Sequence, residues 1–471
     1  MGFRVEKDSM GEFKVPEEML YGAQTARAVD NFPVSGQGIG REMIRALGLI
    51  KFAAAQVNVD LGLVPKDIAQ AIQKAAQEVI DGKLDAHFPV DVFQTGSGTS
   101  SNMNVNEVIS NRAIQMLGGK VGSKTPVHPN DHVNFGQSSN DVFPTAIHVA
   151  AATLIEAKLL PALGKLHASL DRKAREWDDI VKIGRTHLQD ATPIRLGQEF
   201  SGYASQVEHG IEHIRAAMPH LCELAQGGTA VGTGLNTHPE FGARMAKKLS
   251  QLTGVPFTEA RNHFEAQAAQ DAAVAVSGAL KTLAAGLIKI ANDIRFLGSG
   301  PRLGLGELEI PAVQPGSSIM PGKVNPVICE SLIMVCAQVI ANDTAITLGG
   351  LYGNFELNVM LPLIARNLLE QISLLSNATV MFAEKLVDSL RANRADIEGK
   401  NEQSLSLATV LAPRIGYDRA AEIAKESFAT RRTVRELCFE KNVLPRAELE
   451  KALDLRSQTE PSAENIGSAG G

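Results

Sequence analysis

Four short polar segments carry the residue types that could move protons or hold an anion. They are Gln94-Thr-Gly-Ser-Gly-Thr-Ser-Ser-Asn102, Gln137-Ser-Ser-Asn-Asp141, Gly184-Arg-Thr-His-Leu-Gln-Asp190 and Gly316-Ser-Ser-Ile-Met-Pro-Gly-Lys-Val-Asn325. Each crowds hydroxyl and amide side chains into a loop, with an apolar helical pattern close behind, so each is expected near a helix start. Ser, Thr and Asn cap helices, and any one of these loops alone reads as a cap. A helix N-terminus with free backbone N–H groups and added side-chain donors also attracts anions, because dipole and donors point the same way. Several such loops in one chain point to a pocket for a polyanion.

A pocket for a small dicarboxylate needs neutral donors round two carboxylates, one fixed cation, and an acid and a base able to act on adjacent carbons. Ser97, Thr99, Ser138, Ser139, Asn140, Ser318 and Asn325 supply the donors, Lys323 the cation, and His187 and Ser317 the titratable or activatable groups. Such a set needs no metal, and none is assigned. His128 and His132 have i, i+4 spacing, but Pro129 lies between them and no Glu-x-x-His accompanies them, which favours a turn. Gly232-Thr-Gly234 has no βαβ unit round it, so no dinucleotide site is read there. Taken singly, His187 reads as a packed or surface histidine, Ser317 as a turn residue and Glu330 as a first-turn helix acid.

The elements that must position these loops are helices. Helical periodicity runs over residues 70–80, 147–177, 196–224, 267–297, 328–347 and 361–386, and alternating strand patterns are scarce, so the fold is expected to be mainly α. In 267–297, Val274, Val276, Leu280, Leu283, Leu287, Ile288, Ile290 and Ile294 spread round the helix. A helix without a polar face must be covered on all sides, which places it at the centre of a bundle, and several such helices in one chain suggest a bundle shared between subunits. The expected organisation is an N-terminal, mostly helical domain over 1–135, a central long-helix domain over 136–394 and a small helical domain over 395–471. Its tail, 457–471, is polar and aperiodic and is expected to be disordered.

Composition narrows the partners. With 46 Lys and Arg against 52 Asp and Glu, the net charge of -6 provides no global field for nucleic acid or anionic membranes. The longest apolar stretch, 272–291, is interrupted by Ser277, Lys281, Thr282 and Lys289, which would be costly in a bilayer. The 4 cysteines, Cys222, Cys329, Cys336 and Cys438, are widely spaced, as suits reduced thiols rather than a disulfide or zinc framework. The N-terminus lacks the apolar run of a secretory signal and is too acidic for a transit peptide, so a cytoplasmic location is expected.

Gly-Ser-Ser-Ile-Met-Pro-Gly-Lys-Val-Asn-Pro at 316–326 resembles the signature loop of the fumarase and aspartase superfamily. TGSGTSSNMNVNEVI at 95–109, VHPNDHVNFGQSSNDVFPTAIH at 127–148 and GRTHLQDATPIRLGQEFSGY at 184–203 resemble its class II fumarase branch. GGTAVGTGLNTHPEF at 227–241 and IGYDRAAEIAK at 415–425 extend the likeness over almost the whole chain.

The resemblance implies a three-domain fold whose long-helix bundle is shared in a homotetramer, with each active site built from three chains. The implied reaction is the reversible hydration of fumarate to L-malate, by acid and base catalysis through a carboxylate-stabilised carbanion, with no cofactor. Ser317 matches the carbon-acid base, His187 the group that handles water, and Glu330 the carboxylate that orients it from a neighbouring subunit. The implied substrate contacts are Ser97, Gly98, Thr99, Ser138, Ser139, Asn140, Thr186, Ser318, Lys323, Val324 and Asn325, and His128, Pro129, Asn130 and Asp131 match a second anion site. Two positions depart from the usual pattern there: His132 stands where an acid is common, and Gly136 where a serine often occurs. Aspartate ammonia-lyase is the rival reading, since that branch shares the base loop but tends to carry Ala before the lysine and lacks the TGSGT form. A non-catalytic structural relative is the other, and it gives no reason for an unpaired, donor-rich pocket.

Overall fold

The computed structural model describes residues 2–462 of the chain and is mainly helical, with five two-stranded sheets among the described residues. The long helices fall where periodicity places them: Leu196–Leu221, Asp271–Leu297, Val327–Gly350 and Leu361–Lys385. A further helical run begins at Ser139, earlier than the apolar period suggests, and continues to Glu176 through a wide π turn at Ile155–Leu159. Its early start has a local cause. Ser138 and Asp141 form a reciprocal capping box that satisfies the first N–H groups of the helix.

Two compact units emerge among the described residues: 2–162 with 210–285 and 335–377, and 163–209 with 286–334 and 378–462. In the first, the helix Arg41–Asp60 buries Met43, Leu47, Ile50, Ala53 and Ala54, and it packs with Lys66–Ile80 and with the start of the run from Ser139. Buried Glu107, on the helix Thr99–Met116, accepts from the backbone N–H groups of Gly22, Gln24 and Thr25 at 2.8, 3.0 and 3.1 Å and so caps the helix Ala23–Asn31 from a distance. The apolar helices carry polar ties as well. Ser277 and Lys281 both donate to Asp343, at 2.8 and 2.6 Å.

In the second unit Trp177, Phe200 and Tyr203 form a buried row of edge-to-face rings with centroids 4.8 and 5.2 Å apart. A separate apolar cluster, from Leu407 to Leu453, closes the C-terminal helices Tyr417–Thr430, Val434–Glu440 and Arg446–Ala452 on one another.

Two expectations are corrected here. The segment 184–190 is not at a helix start: Val181–Thr186 and Gln189–Arg195 form an antiparallel hairpin whose turn is His187 and Leu188. Both turn residues have positive φ, 56° and 61°, as a tight hairpin matched to right-handed strand twist requires. The Gly-Arg-Thr-His-Leu-Gln-Asp string hid this turn because neither central residue is Gly or Asn. The second correction concerns the tail. Residues 456–459 form a short helical turn, and Thr459 is buried where Arg195 and Gln198 hold it at 2.9 Å each. Side-chain hydrogen bonds order this segment, and apolar periodicity cannot register them. Residues 463–471 lie outside the described residues.

Candidate active site

The first loop ends at Gly98, whose φ of 71° opens the helix Thr99–Met116. A Cβ at Gly98 would collide with the Phe143 ring, so glycine is required there both for conformation and for space. Ser97 and Thr99 hydroxyls lie 2.7 Å apart, and Thr99 Oγ1 is 2.7 Å from Ser139 Oγ of the second loop. Ser138 Oγ accepts from Asn140 N at 3.2 Å, and Asn140 Nδ2 donates to Ala230 O at 2.8 Å. The structure therefore brings Ser97, Thr99 and Ser139 into one hydroxyl chain and uses Ser138 as the helix cap.

Beneath this chain lies Asp141, fully buried. It accepts from the N–H groups of Ser138, Gly227 and Thr229 at 2.9, 3.0 and 3.0 Å, which ties the loop 227–230 to the loop 138–140. Burial pushes its carboxyl above the usual range, against the pull of those three amides and of Lys51.

The segment His128 to Asp131 is a compact turn leading into Pro129–Val133. His128 Nδ1 accepts from the N–H groups of Asn130 and Asp131 at 3.2 and 3.1 Å, and His132 Nδ1 accepts from His128 N at 2.9 Å. The two histidines thus serve the turn. Burial lowers the pKa of His132 below the ordinary histidine value.

In the second unit the signature loop folds on itself. Ser317 Oγ accepts from Ile319 N at 3.2 Å and Met320 N at 3.1 Å, so two backbone dipoles converge on the hydroxyl oxygen. Asn325 Nδ2 donates to Gly316 O at 2.7 Å, and Gly316 N donates to Lys323 O at 3.0 Å. A Cβ at Gly316 would strike that same Lys323 carbonyl, which explains the glycine. The loop bounds a cleft of about 410 Å³ lined by Ser317, Met320, Lys323 and Val324 among others. Ser318, Lys323 and Val324 are exposed, and Glu330 stands exposed in the first turn of Val327–Gly350.

Thr186 and His187 lie exposed at the hairpin tip. Among the described residues no hydrogen bond or ion pair joins His187 to Ser317 or to Glu330. What holds the hairpin is a buried ion cluster at its base. Lys182 Nζ lies 2.9 Å from Glu199 and 2.8 Å from Glu307, and Arg185 Nη2 lies 2.6 Å from Glu307. Side chains of Lys182 and Glu307 are 2% and 3% exposed, so these charges can persist only because they are paired.

Sequence reasoning passed over Lys51, Lys182, Asp141 and Glu307. Lys51 had a visible signal, a lysine inside the apolar face formed by Leu47, Ile50 and Ala54. Glu307, in a loop of no regular period, had none.

The family model described as "Lyase" matches residues 11–341, and one described as "Fumarase C C-terminus" matches residues 407–459. Mitochondrial fumarate hydratase of Homo sapiens is 57% identical over 440 residues, 93% of this chain and 86% of that protein. Class II fumarate hydratase of Methylorubrum extorquens is 54% identical over 461 residues, 98% of each. The crystal structure of class II fumarase from Schistosoma mansoni superposes with a TM-score of 0.95 at 43% identity, covering 98% of this chain and 100% of that one.

The chain belongs to the lyase family of the fumarase and aspartase fold. Within it the chain falls among the class II fumarate hydratases, and it is a hydro-lyase acting on fumarate.

The expected cytoplasmic location is corrected by the same relatives: those from Homo sapiens and Danio rerio, at 57% and 56% identity, are named mitochondrial.

Proposed function

We propose that the hydration proceeds without a metal or organic cofactor, with Ser317 as the carbon-acid base and His187 as the group that moves the proton of water. The observation that carries this reading is the pair of amides, Ile319 N and Met320 N, aimed at Ser317 Oγ. An ordinary serine is a poor base, and two N–H dipoles with Lys323 nearby in the loop favour its ionised form. Lys323 and the N–H groups of the loop face the carboxylate into which the carbanion charge spreads, and such donors act most strongly as that second charge develops. Asn325 serves by closing the loop through Gly316.

Ser97, Gly98, Thr99, Ser138, Ser139, Asn140 and Thr186 bind the two carboxylates of fumarate or L-malate, together with Ser318 and Val324. His128, Pro129, Asn130 and Asp131 form a separate anion site of lower affinity. Glu330 orients His187 of a neighbouring subunit, in a homotetramer whose active sites each draw on three chains. Apolar side chains left open on the long helices support that assembly: Met334 and Leu348 of Val327–Gly350 are 66% and 50% exposed. The division into parts 1–135, 136–394 and 395–471 belongs to the same reading, and the separate apolar cluster from Leu407 to Leu453 supports the last part.

The test is to follow the ultraviolet absorbance of fumarate with L-malate and, separately, with L-aspartate, in chelator-treated buffer. Turnover of L-malate is expected. Turnover that appears only when a metal is returned would overturn the metal-free reading.

A further inference from the structure

Lys51 is the one lysine of the helix Arg41–Asp60, and it is fully buried. Its ammonium donates to two side-chain carbonyl oxygens, Asn134 Oδ1 at 2.8 Å and Gln137 Oε1 at 3.1 Å. Those acceptors belong to two different pieces of the candidate site. Asn134 directly follows the Pro129–Val133 turn of the second anion segment, and Gln137 directly precedes Ser138, the cap of the substrate loop. Asn134 Nδ2 also donates to Gln137 O at 3.1 Å, and Gln137 Nε2 donates to Val133 O, the end of the turn, at 3.2 Å. From the helix Thr99–Met116, Asn102 Nδ2 reaches Asn134 Oδ1 at 3.4 Å.

A lysine held in this way is expensive unless its charge is used. Burying an ammonium with only neutral acceptors is costly, and an apolar side chain of the same length would fill the space without that cost. The charged group that acts on Lys51 is Asp141 of the helix from Ser139, while Asn102, Asn134 and Gln137 of the other packed segments are neutral. Asp141 directs its two oxygens at three backbone amides, so its attraction for the ammonium acts through space and not through an ion pair.

We propose that Lys51 is a positioning residue for the substrate loop, which sets Ser138, Ser139 and Asn140 through Gln137 and lends that loop a buried positive charge that a dicarboxylate completes. The proposal rests on the reading of 138–140 as a substrate loop. Burial holds the Lys51 pKa near 7, well below its ordinary value. A dianion bound above it favours the charged form, so binding above neutral pH takes up a proton.

The experiment uses the assembled enzyme and four proteins: wild type, Lys51→Met, Gln137→Met and Ser139→Ala. With L-malate at pH 7.5, Lys51→Met and Gln137→Met are expected to raise KM about tenfold while kcat stays within about threefold. Calorimetric titration with succinate, an unreactive dicarboxylate, in buffers of different ionisation enthalpy is expected to show proton uptake in wild type and clearly less per mole of bound succinate in Lys51→Met. A purely structural role would not lower that uptake. If Lys51→Met does not assemble, the KM of Gln137→Met and the wild-type uptake decide the matter. An unchanged KM in the methionine variants with a raised KM in Ser139→Ala would overturn the role of Lys51 alone. An unchanged KM in Ser139→Ala would overturn the reading of the loop itself, and with it the proposal.

Discussion

Thr99 Oγ1 and Ser139 Oγ lie 2.7 Å apart although 40 residues separate them. Each opens a helix, so the hydrogen bond joins two helix N-termini through their side-chain hydroxyls. A single capped helix end would be an ordinary structural feature. Two ends fused through their hydroxyls make a donor cluster suited to a carboxylate.

Removing one hydroxyl of that pair should weaken binding more than it slows chemistry. Ser139→Ala deletes a donor to a charged group, worth about 1.5–3 kcal/mol, and so is expected to raise KM for L-malate about tenfold or more. Steady-state kinetics in both directions check this, and an unchanged KM would remove Ser139 from the binding set.

His187→Asn keeps a polar side chain able to occupy the left-handed turn, so the hairpin should survive. Loss of a general acid and base is expected to cut kcat by about 10²–10⁴. Size-exclusion chromatography should show the assembly of wild type. A variant with wild-type turnover would end the proton-transfer role.

Glu307→Gln takes one of its two carboxylates from buried Lys182, which keeps Glu199, and takes the near carboxylate from half-buried Arg185. Breaking a buried pair in this way costs about 3–5 kcal/mol, so urea unfolding should shift to clearly lower concentration. Because Glu307 anchors the base of the His187 hairpin, kcat should fall with stability even in the fraction that remains folded. Wild-type stability in this variant would show that the cluster is not what holds the strands.

Lys51 predicts the sign of a pH effect on stability. Its pKa in the fold is about 7, against an ordinary value of 10.5 that it regains on unfolding. Between these values the unfolded chain binds more protons than the folded one, so stability from this residue rises with pH across that window and is flat below it. The gain in urea midpoint from pH 7 to pH 9 should therefore be larger in wild type than in Lys51→Met. An equal gain in both would place the Lys51 titration elsewhere.

Much of the fold was legible in the chain because long buried helices repeat an apolar pattern that few other structures tolerate. Asp271–Leu297 and Leu361–Lys385 lie within a few residues of their expected bounds for that reason. The hairpin at Thr186 to Gln189 was not legible. Its turn uses His187 and Leu188 in a conformation that glycine or asparagine would normally supply, and local propensity argues against it. The ion cluster of Lys182, Arg185 and Glu307 sits at the base of that hairpin, and its members are up to 125 residues apart by their numbering. Tail residues 457–460 escaped notice in the same way, since they dock through Arg195 rather than through an apolar stripe.

By itself the sequence determined the chemistry on offer: the hydroxyls of 97–99 and 138–139, the serine and lysine of 316–325, and a histidine at 187. These are local strings, and residue type with spacing is enough to state them. Tertiary structure decided how those groups are held. It joined Thr99 to Ser139, turned two amides onto Ser317 Oγ, put His187 on a hairpin in place of a helix start, and buried Lys51 against Asn134 and Gln137. The reason is physical. Hydrogen bonds and buried charges form between segments far apart in the chain, and their energy depends on burial, which no local pattern contains.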